Sequence, residues 1–330
     1  MKLFKVKHFL VVAMVLIFAI NLSGADNFNT TGTTGFVFLN LPVSARFAAM
    51  GETGITMNSA GADGLFVNPG LIARSPNQTS INMTHGQWYV DTQHQSLGIT
   101  RKFGNFGSLG LMLNYFDFGD IQKTRTLFPD EVGNLTAGEN NLYYDLGTYS
   151  ANALAVGLAY SRYLTYDFTF GAMLKYARET IDSHTADNVL LDLGFVYNTG
   201  IGSLRIGTFL KNFGLESEYA DEQFKMPQRL VLGISGEVLG SLEAANYLSI
   251  YLEAVHPNDA AEHIHLGMES KLINALYLRG GYKFGYDHEN VTLGLGTEFI
   301  FRARQFRFDM SYMNHEYLEQ TLRYSLSMEL

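Results

Sequence analysis

From residue 78 to its end the chain alternates apolar and polar side chains in runs of about ten residues, and that period leaves few folds open. In Thr321–Leu330, Leu322, Tyr324, Leu326, Met328 and Leu330 fall on one face, and Arg323, Ser325, Ser327 and Glu329 on the other. In Gln305–Tyr312, Phe306, Phe308, Met310 and Tyr312 oppose Arg307, Asp309 and Ser311. In Val291–Phe301, Val291, Leu293, Leu295, Phe299 and Phe301 oppose Thr292, Gly294, Gly296 and Glu298. Successive side chains of a strand point to opposite faces, so each run has one apolar and one polar side. Similar runs occupy 275–284, 262–272, 246–256, 228–238, 202–212, 187–198, 167–178, 151–162, 107–117, 94–101 and 79–89. Together they make about fourteen strands, most near the length with which a tilted strand crosses a bilayer.

Connection lengths test this independently. Lys102–Phe106, Tyr163–Tyr166, Thr199–Gly202, Gly240–Ala245, Ile273–Asn274 and Arg302–Arg304 are short. The intervening connections include the long Phe118–Ser150 and Gly214–Met226, with the modest Asp287–Asn290 and Asn314–Glu319. The first, near Tyr89–Gln93, is short and departs from the pattern. Long–short alternation fits an outer-membrane barrel with both chain ends in the periplasm. The polar faces carry Asp192, Arg205, Lys211, Glu253, His263, His265, Glu269, Lys271, Arg279 and Lys283 beside Gly and Ser. Such groups are costly in lipid and belong in a lumen. With Glu298, Arg307, Asp309 and Arg323 they are expected to form a polar lumen wall, the two acids neutralising Arg279, Arg307 and Arg323. A soluble sandwich would instead bury the apolar faces between two sheets. Aromatics near strand ends (Trp88, Tyr89, Tyr115, Phe116, Tyr160, Tyr163, Tyr166, Phe168, Phe284, Tyr286, Phe299 and Phe301) suit interfacial girdles.

The fold class expected is therefore all-β: a transmembrane antiparallel barrel of about fourteen strands. A barrel of that width is not filled by its own side chains. The stretch Pro42–Ala73 (PVSARFAAMGETGITMNSAGADGLFVNPGLIA) is the candidate filling. It is rich in Ala and Gly, lacks strand alternation, and ends in the stiff unit Asn68-Pro69-Gly70. Irregular backbone at membrane depth is tolerated only inside protein or beside water. Residues 26–41 lead into it with no stable element expected.

Residues 1–25 read as an export signal: Lys2, Lys5 and Lys7, an apolar run Phe9–Ile20, then Ser23 and Ala25 before the cut. The domain reading is a signal at 1–25, an N-terminal segment and hatch at 26–77, and a barrel at 78–330. The net charge of −9 argues against nucleic acid, and the absence of Cys excludes disulfides and thiol chemistry. His263, His265 and Glu269 have a spacing that metals use, and Asp130, Glu131, Glu139, Asn140 and Asn141 offer oxygen ligands. Neither set has a full ligand pattern, and a polar wall and a solvated loop explain them better. No Ser, His and acidic grouping marks a catalytic site. No cofactor, metal or enzymatic activity is expected.

The stretch Ala45–Ala73 resembles the N-terminal signature of FadL-like outer-membrane proteins, and more closely that of their PorV/PorQ branch. Thr84–Ile99, Gly107–Arg125, Ala153–Tyr176, Leu191–Gly200 and Leu204–Gly214 extend the resemblance over most of residues 35–240. The resemblance implies a fourteen-strand barrel around an N-terminal hatch. It places the hatch motif on Met50, Gly51, Asn68, Pro69 and Gly70, with Gly70 standing where the family has Ala. A final Leu330 departs from the aromatic with which such barrels often end.

Two functions follow from the resemblance. Like PorV in type IX secretion, the protein would bind exported cargo and pass it to a surface attachment complex, its partners being secreted proteins and other secretion components in outer-membrane lipid. Like FadL, it would instead move hydrophobic small molecules, releasing them laterally through the wall. The first is the preferred expectation, because the PorV-like motif set weighs most and the lumen faces are charged and Gly-rich, with Phe209, Val231 and Tyr251 as scattered apolar exceptions. The second would need an apolar path.

Overall fold

A computed structural model describes residues 32–126, 143–219, 222–315, 317–318 and 320–330. The export signal read at 1–25 and the acidic loop residues Asp130, Glu131, Glu139, Asn140 and Asn141 lie outside these residues. The strands are β1 (Thr79–Gln87), β2 (Gln93–Lys102), β3 (Ser108–Thr126), β4 (Tyr143–Tyr163), β5 (Phe168–Ile181), β6 (His184–Asn198) and β7 (Arg205–Gly214). A small hairpin of β8 (Ser217–Tyr219) and β9 (Glu222–Phe224) follows. The wall resumes with β10 (Arg229–Leu239), β11 (Tyr247–Pro257), β12 (His263–Leu272), β13 (Leu276–Phe284), β14 (Val291–Phe301), β15 (Arg304–Met313) and β16 (Thr321–Glu329). All but the small hairpin form one closed antiparallel barrel of fourteen strands, sealed where β1 pairs with β16 from Ser80↔Glu329 to Gln87↔Leu322.

The alternation read in the sequence is the alternation of the wall. Leu158, Leu174, Leu232, Leu278, Leu293 and Leu326 point outward and are exposed. A continuous belt of that kind is a liability in water and is matched by lipid. Asp192, Arg205, Glu253, His265, Glu269, Arg279, Lys283, Asp309 and Arg323 point inward and are buried. Tight turns close one end of the barrel. Ile273-Asn274 and Arg302-Ala303 take φ of 53°, 61°, 49° and 60°, the left-handed pairs whose twist matches flanking strands.

Four expectations need correction. First, β3 and β4 run on beyond residues 117 and 151, pairing as far as Thr126↔Tyr143, so the described residues of Phe118–Ser150 continue the two strands as a paired ribbon. Past the barrel rim both faces of a ribbon meet water, and no apolar alternation remains to reveal it. Likewise β5 and β6 lengthen to meet at a turn of Asp182 and Ser183, and Gly214–Met226 carries the β8–β9 hairpin.

Second, three of the girdle aromatics face inward. Phe116 is buried in the core, Trp88 packs against that core, and Tyr286 stacks on His263 at 4.1 Å.

Third, the lead-in is structured. Val37–Asn40 forms a helical turn, and Phe36 and Phe38 are buried. Fourth, the described ends lie at opposite ends of the barrel. Thr34 bridges to Lys225 among the long connections, whereas Leu330 bonds Gln78 and Thr79 at the short-turn end. The chain enters from the long-connection end and descends through the lumen before β1 begins.

Candidate functional site: the hatch and its seat

Pro42–Ala73 fills the lumen as the small residues suggested. It contains one α-helical turn, Ala45–Ala48, and two short 3-10 turns, Gly61–Phe66 and Pro69–Arg74. The first meets β14, β15 and β16, the second β1, β2 and β3, and the third β4, β5 and β6, so the hatch touches much of the wall's circumference. Its apolar side chains bury Phe47, Met50, Met57, Ala60 and Leu71 together with Val196 and Tyr251 of the wall.

Glycines in the wall set how closely it seats. A Cβ at Gly171 would overlap the backbone of Pro69 and Gly70, one at Gly281 the backbone of Gly51, and one at Gly194 the Asn68 side chain. Gly110, Gly267 and Gly294 stand in the same way against Leu65, Thr53 and Ala49. The Gly-rich inner face is therefore a moulded seat. Gly70 itself explains the departure from Ala, because a Cβ there would lie 3.0 Å from Gly194 O and 3.1 Å from Asn68 Oδ1.

The end of the hatch is held by Asn68. Its Oδ1 accepts from Gly70 N at 2.8 Å, capping a turn that opens with Pro69, and its Nδ2 donates to Ile55 O at 2.8 Å. Asn68 is fully buried. Asn68→Ala is expected to cost about 1–3 kcal/mol, since it leaves a buried N–H and a buried C=O unpaired. A lowered thermal unfolding midpoint of the purified barrel is the check.

Charge fixes the hatch to the wall along one continuous chain. Arg46 of the hatch makes a bidentate pair with Glu269, 2.8 Å on each side. Glu269 also accepts from Arg279 Nε at 2.7 Å and Tyr247 OH at 2.8 Å. Arg279 passes to Asp309 at 2.8 Å, Asp309 to Arg307 at 2.8 Å, and Arg307 returns to Asp63 of the hatch at 2.6 Å. Signs alternate throughout, which is how buried charges are tolerated. Arg205 donates to Thr56 O of the hatch at 2.9 Å and pairs with Glu237 at 2.7 Å.

Not every expected neutralisation occurs. Glu298 pairs with Lys271 at 3.6 Å and accepts from Tyr277, so it serves no arginine. Arg323 has no carboxylate within ion-pair distance among the described residues and lies under the Trp88 ring at 4.4 Å. His265 meets the Tyr286 hydroxyl at 3.2 Å and His263 stacks on that ring, while Glu269 is committed to its guanidiniums; the three do not converge. What sequence reasoning passed over was charge inside the hatch. Arg46, Glu52, Asp63 and Arg74 stand out in a stretch of small residues, and that contrast was the available signal.

Glu52 adopts a left-handed φ of 64° and reaches Lys283 at 2.8 Å and Arg229 at 3.8 Å, with Lys283 also contacting Glu289 at 3.2 Å. Burial would raise the Glu52 carboxyl, but Lys283, with His265 and Arg229 behind it, outweighs burial and holds it well below the usual carboxylate range. A carboxyl lowered in the folded state stabilises it above the ordinary value of 4.5 and loses that contribution only as pH falls below it. Acidifying from about pH 7 to about pH 5 is therefore expected to leave this anchor intact. Planar-bilayer recordings that stay equally silent at both values are the predicted result.

Beside Glu52 the hatch and wall leave a cavity of about 70 Å³, open toward the long connections. Phe209, Val231 and Val255 of the wall meet Ile55 and Val67 of the hatch there, so two of the three scattered apolar residues join one surface. Val43, Phe47 and Phe66 extend it, and Glu52, Lys211, Arg229, Glu253 and His265 form its polar side.

No protein-family model matches the chain, and no curated protein sequence does. Solved structures do. The toluene transporter TodX of Pseudomonas putida superposes with a TM-score of 0.58 at 12% identity, over 87% of this chain and 97% of that one. A Pseudomonas aeruginosa FadL homologue gives 0.53 at 9%, over 87% and 98%. The monoaromatic hydrocarbon channel CymD gives 0.52 at 10%, over 89% and 97%. At these identities the likeness is one of fold. In fold the chain is similar to FadL-type outer-membrane barrels, fourteen strands closed around an N-terminal segment that folds into the lumen.

Proposed function

We propose that the protein admits small hydrophobic compounds across a bacterial outer membrane, taking them at the long-connection end and holding them between hatch and wall. One observation carries this reading: the apolar surface formed by Phe209, Val231 and Val255 with Ile55 and Val67, open to that end. The neighbours named as a toluene transporter and a hydrocarbon channel favour it over cargo binding. Export by the segment 1–25 and the division into hatch and barrel at residue 77 belong to the same proposal. Saturable binding of toluene to the purified protein by titration calorimetry tests it. Val231→Trp, which fills the cavity, is expected to weaken that binding roughly tenfold, the scale of losing one well-buried side chain's worth of apolar contact. Absence of saturable binding by any apolar probe would sink the reading.

A second reading keeps one supporting observation. The β3–β4 ribbon stands well clear of the rim, and the β8–β9 hairpin adds a second built surface at the same end. Such surfaces suit protein partners, as the PorV/PorQ resemblance implies. Recovery of secreted proteins sharing a C-terminal domain, from envelope extracts and dependent on residues 118–150, is its test.

A further inference from the structure

The cavity between hatch and wall is built for more than a hydrocarbon. Three residues of its polar side each carry a buried atom with no partner among the described residues: Glu253 Oε2, His265 Nδ1 and Arg229 Nε. Glu253 and His265 are each 1% exposed. Their other polar atoms are spoken for. Glu253 Oε1 accepts from Gly54 N at 2.6 Å and Ile55 N at 2.9 Å, and His265 Nε2 meets Tyr286 OH at 3.2 Å. An unpaired buried acceptor or donor costs about 1–3 kcal/mol, so native proteins seldom leave several facing one space without an occupant.

The charges around that space define what the occupant is. Glu52, Glu253, Lys211, Arg229 and His265 all line it, two acids and two bases beside one imidazole. A carboxylate guest would lie against Glu253 and Glu52, and an ammonium guest against Lys211 and Arg229. A neutral group able both to donate and to accept has no such conflict. The volume, about 70 Å³, is room for about two waters at roughly 30 Å³ each. A larger guest needs the strap Asn40–Ser44, which forms one side of the cavity, to shift outward.

We infer that the cavity takes a hydrophobic compound bearing a neutral hydroxyl, whose hydroxyl donates to Glu253 Oε2 and accepts from the Arg229 and His265 side. The ring or alkyl body lies on Val231, Val255, Phe209 and Ile55. The inference rests on the transport reading above and narrows its substrate class. Glu253 is then a specificity residue with two tasks, since its Oε1 holds the hatch backbone at Gly54 and Ile55.

The test uses the full chain, purified in detergent and titrated calorimetrically with three probes of like shape: toluene, 4-methylphenol and 4-methylbenzoate. The expected order places 4-methylphenol about tenfold tighter than toluene, the worth of one hydrogen bond, with 4-methylbenzoate weaker than the phenol. Glu253→Gln is expected to bring the phenol-to-toluene ratio close to one. If that variant fails to fold, judged by loss of the heat-dependent gel shift of the barrel, His265→Phe is read for a reduced ratio instead. Equal binding of toluene and 4-methylphenol would overturn the hydroxyl assignment and leave hydrophobic passage standing, the polar atoms then holding water only. Tightest binding of 4-methylbenzoate would also overturn it, in favour of an anion site on Lys211 and Arg229. Binding of none of the three would remove the transport reading as well.

Discussion

Deleting Pro42–Ala73 is expected to convert a silent barrel into a conducting one. The wall is closed by its own hydrogen bonds, β1 to β16 included, and does not need the hatch to complete the sheet. A barrel of this strand number leaves a space its side chains do not fill. With the hatch gone that space is lined by Glu269, Arg279, Asp309, Arg205 and Glu253, and it fills with water and ions. Single-channel recording in planar bilayers reads the change directly. A folded deletion protein that stays silent would show that something other than the hatch closes the pore. Should the deletion fail to assemble, Gly171→Val supplies a gentler version, because its side chain meets backbone atoms of Pro69 and Gly70 that have nowhere to go. Intermittent conductance is the result expected there.

Glu269→Ala should be the most damaging single substitution in the wall. The carboxylate sits 1% exposed between the guanidiniums of Arg46 and Arg279 and also accepts from Tyr247. Arg279 keeps Asp309 and remains half neutralised, but Arg46 keeps only a weak contact to Ser59 O at 3.3 Å. Removing one member of a buried charge pair costs about 3–5 kcal/mol, because the survivor stays buried and uncompensated. Here the loss falls on the hatch, so it is expected twice over: as a lower unfolding midpoint and as faster proteolysis or chemical labelling within 42–73. Glu269→Gln should recover part of the midpoint through its remaining acceptor oxygen. A variant with unaltered midpoint and unaltered labelling would mean that Arg46 is not what seats the hatch.

The wall was legible because its physics is local. Leu322 to Leu330 alternate with Arg323 to Glu329 for the simple reason that a strand crossing lipid has one face in hydrocarbon and one in a polar lumen, and each strand repeats that demand. Where the demand lapses, the signal does too. Beyond the rim, Asp120–Thr126 and Tyr143–Ser150 go on pairing through two register shifts, yet both faces of Ile121–Thr126 and Asp145–Ser150 meet water, and the sequence there reads as loop. Phe116 and Trp88 illustrate the converse. Their position near strand ends suggested an interfacial girdle, but their parity puts them on the inner face, and parity outranks position.

The site was legible in its parts and not in its pairings. The inward residues Arg279, Arg307, Asp309 and Glu269 were recognisable as lumen charges, and the small residues of 42–73 as a filling. That Asp309 joins Arg279 to Arg307, that Glu298 turns instead to Lys271, and that Arg323 relies on an aromatic ring depend on register between strands far apart in sequence. Alternation gives the face of a residue and says nothing of its height relative to a neighbour in another strand.

The sequence by itself determined that this chain forms a strand-built wall with an apolar outside, a charged and glycine-rich inside, and a compact segment to put there. Each of those properties is decided within ten residues by the period of a strand or the bulk of a side chain. The tertiary structure alone decided that Phe209 and Val231, two strands' worth of sequence apart, share one cavity with Ile55 and Val67 of the hatch, and that Glu253, His265 and Arg229, each with an unpaired polar atom, line the same space. A cavity of this kind is a coincidence in space of residues from the hatch and from β7, β10, β11 and β12, and no period along the chain records which heights those elements reach when the barrel closes around the hatch.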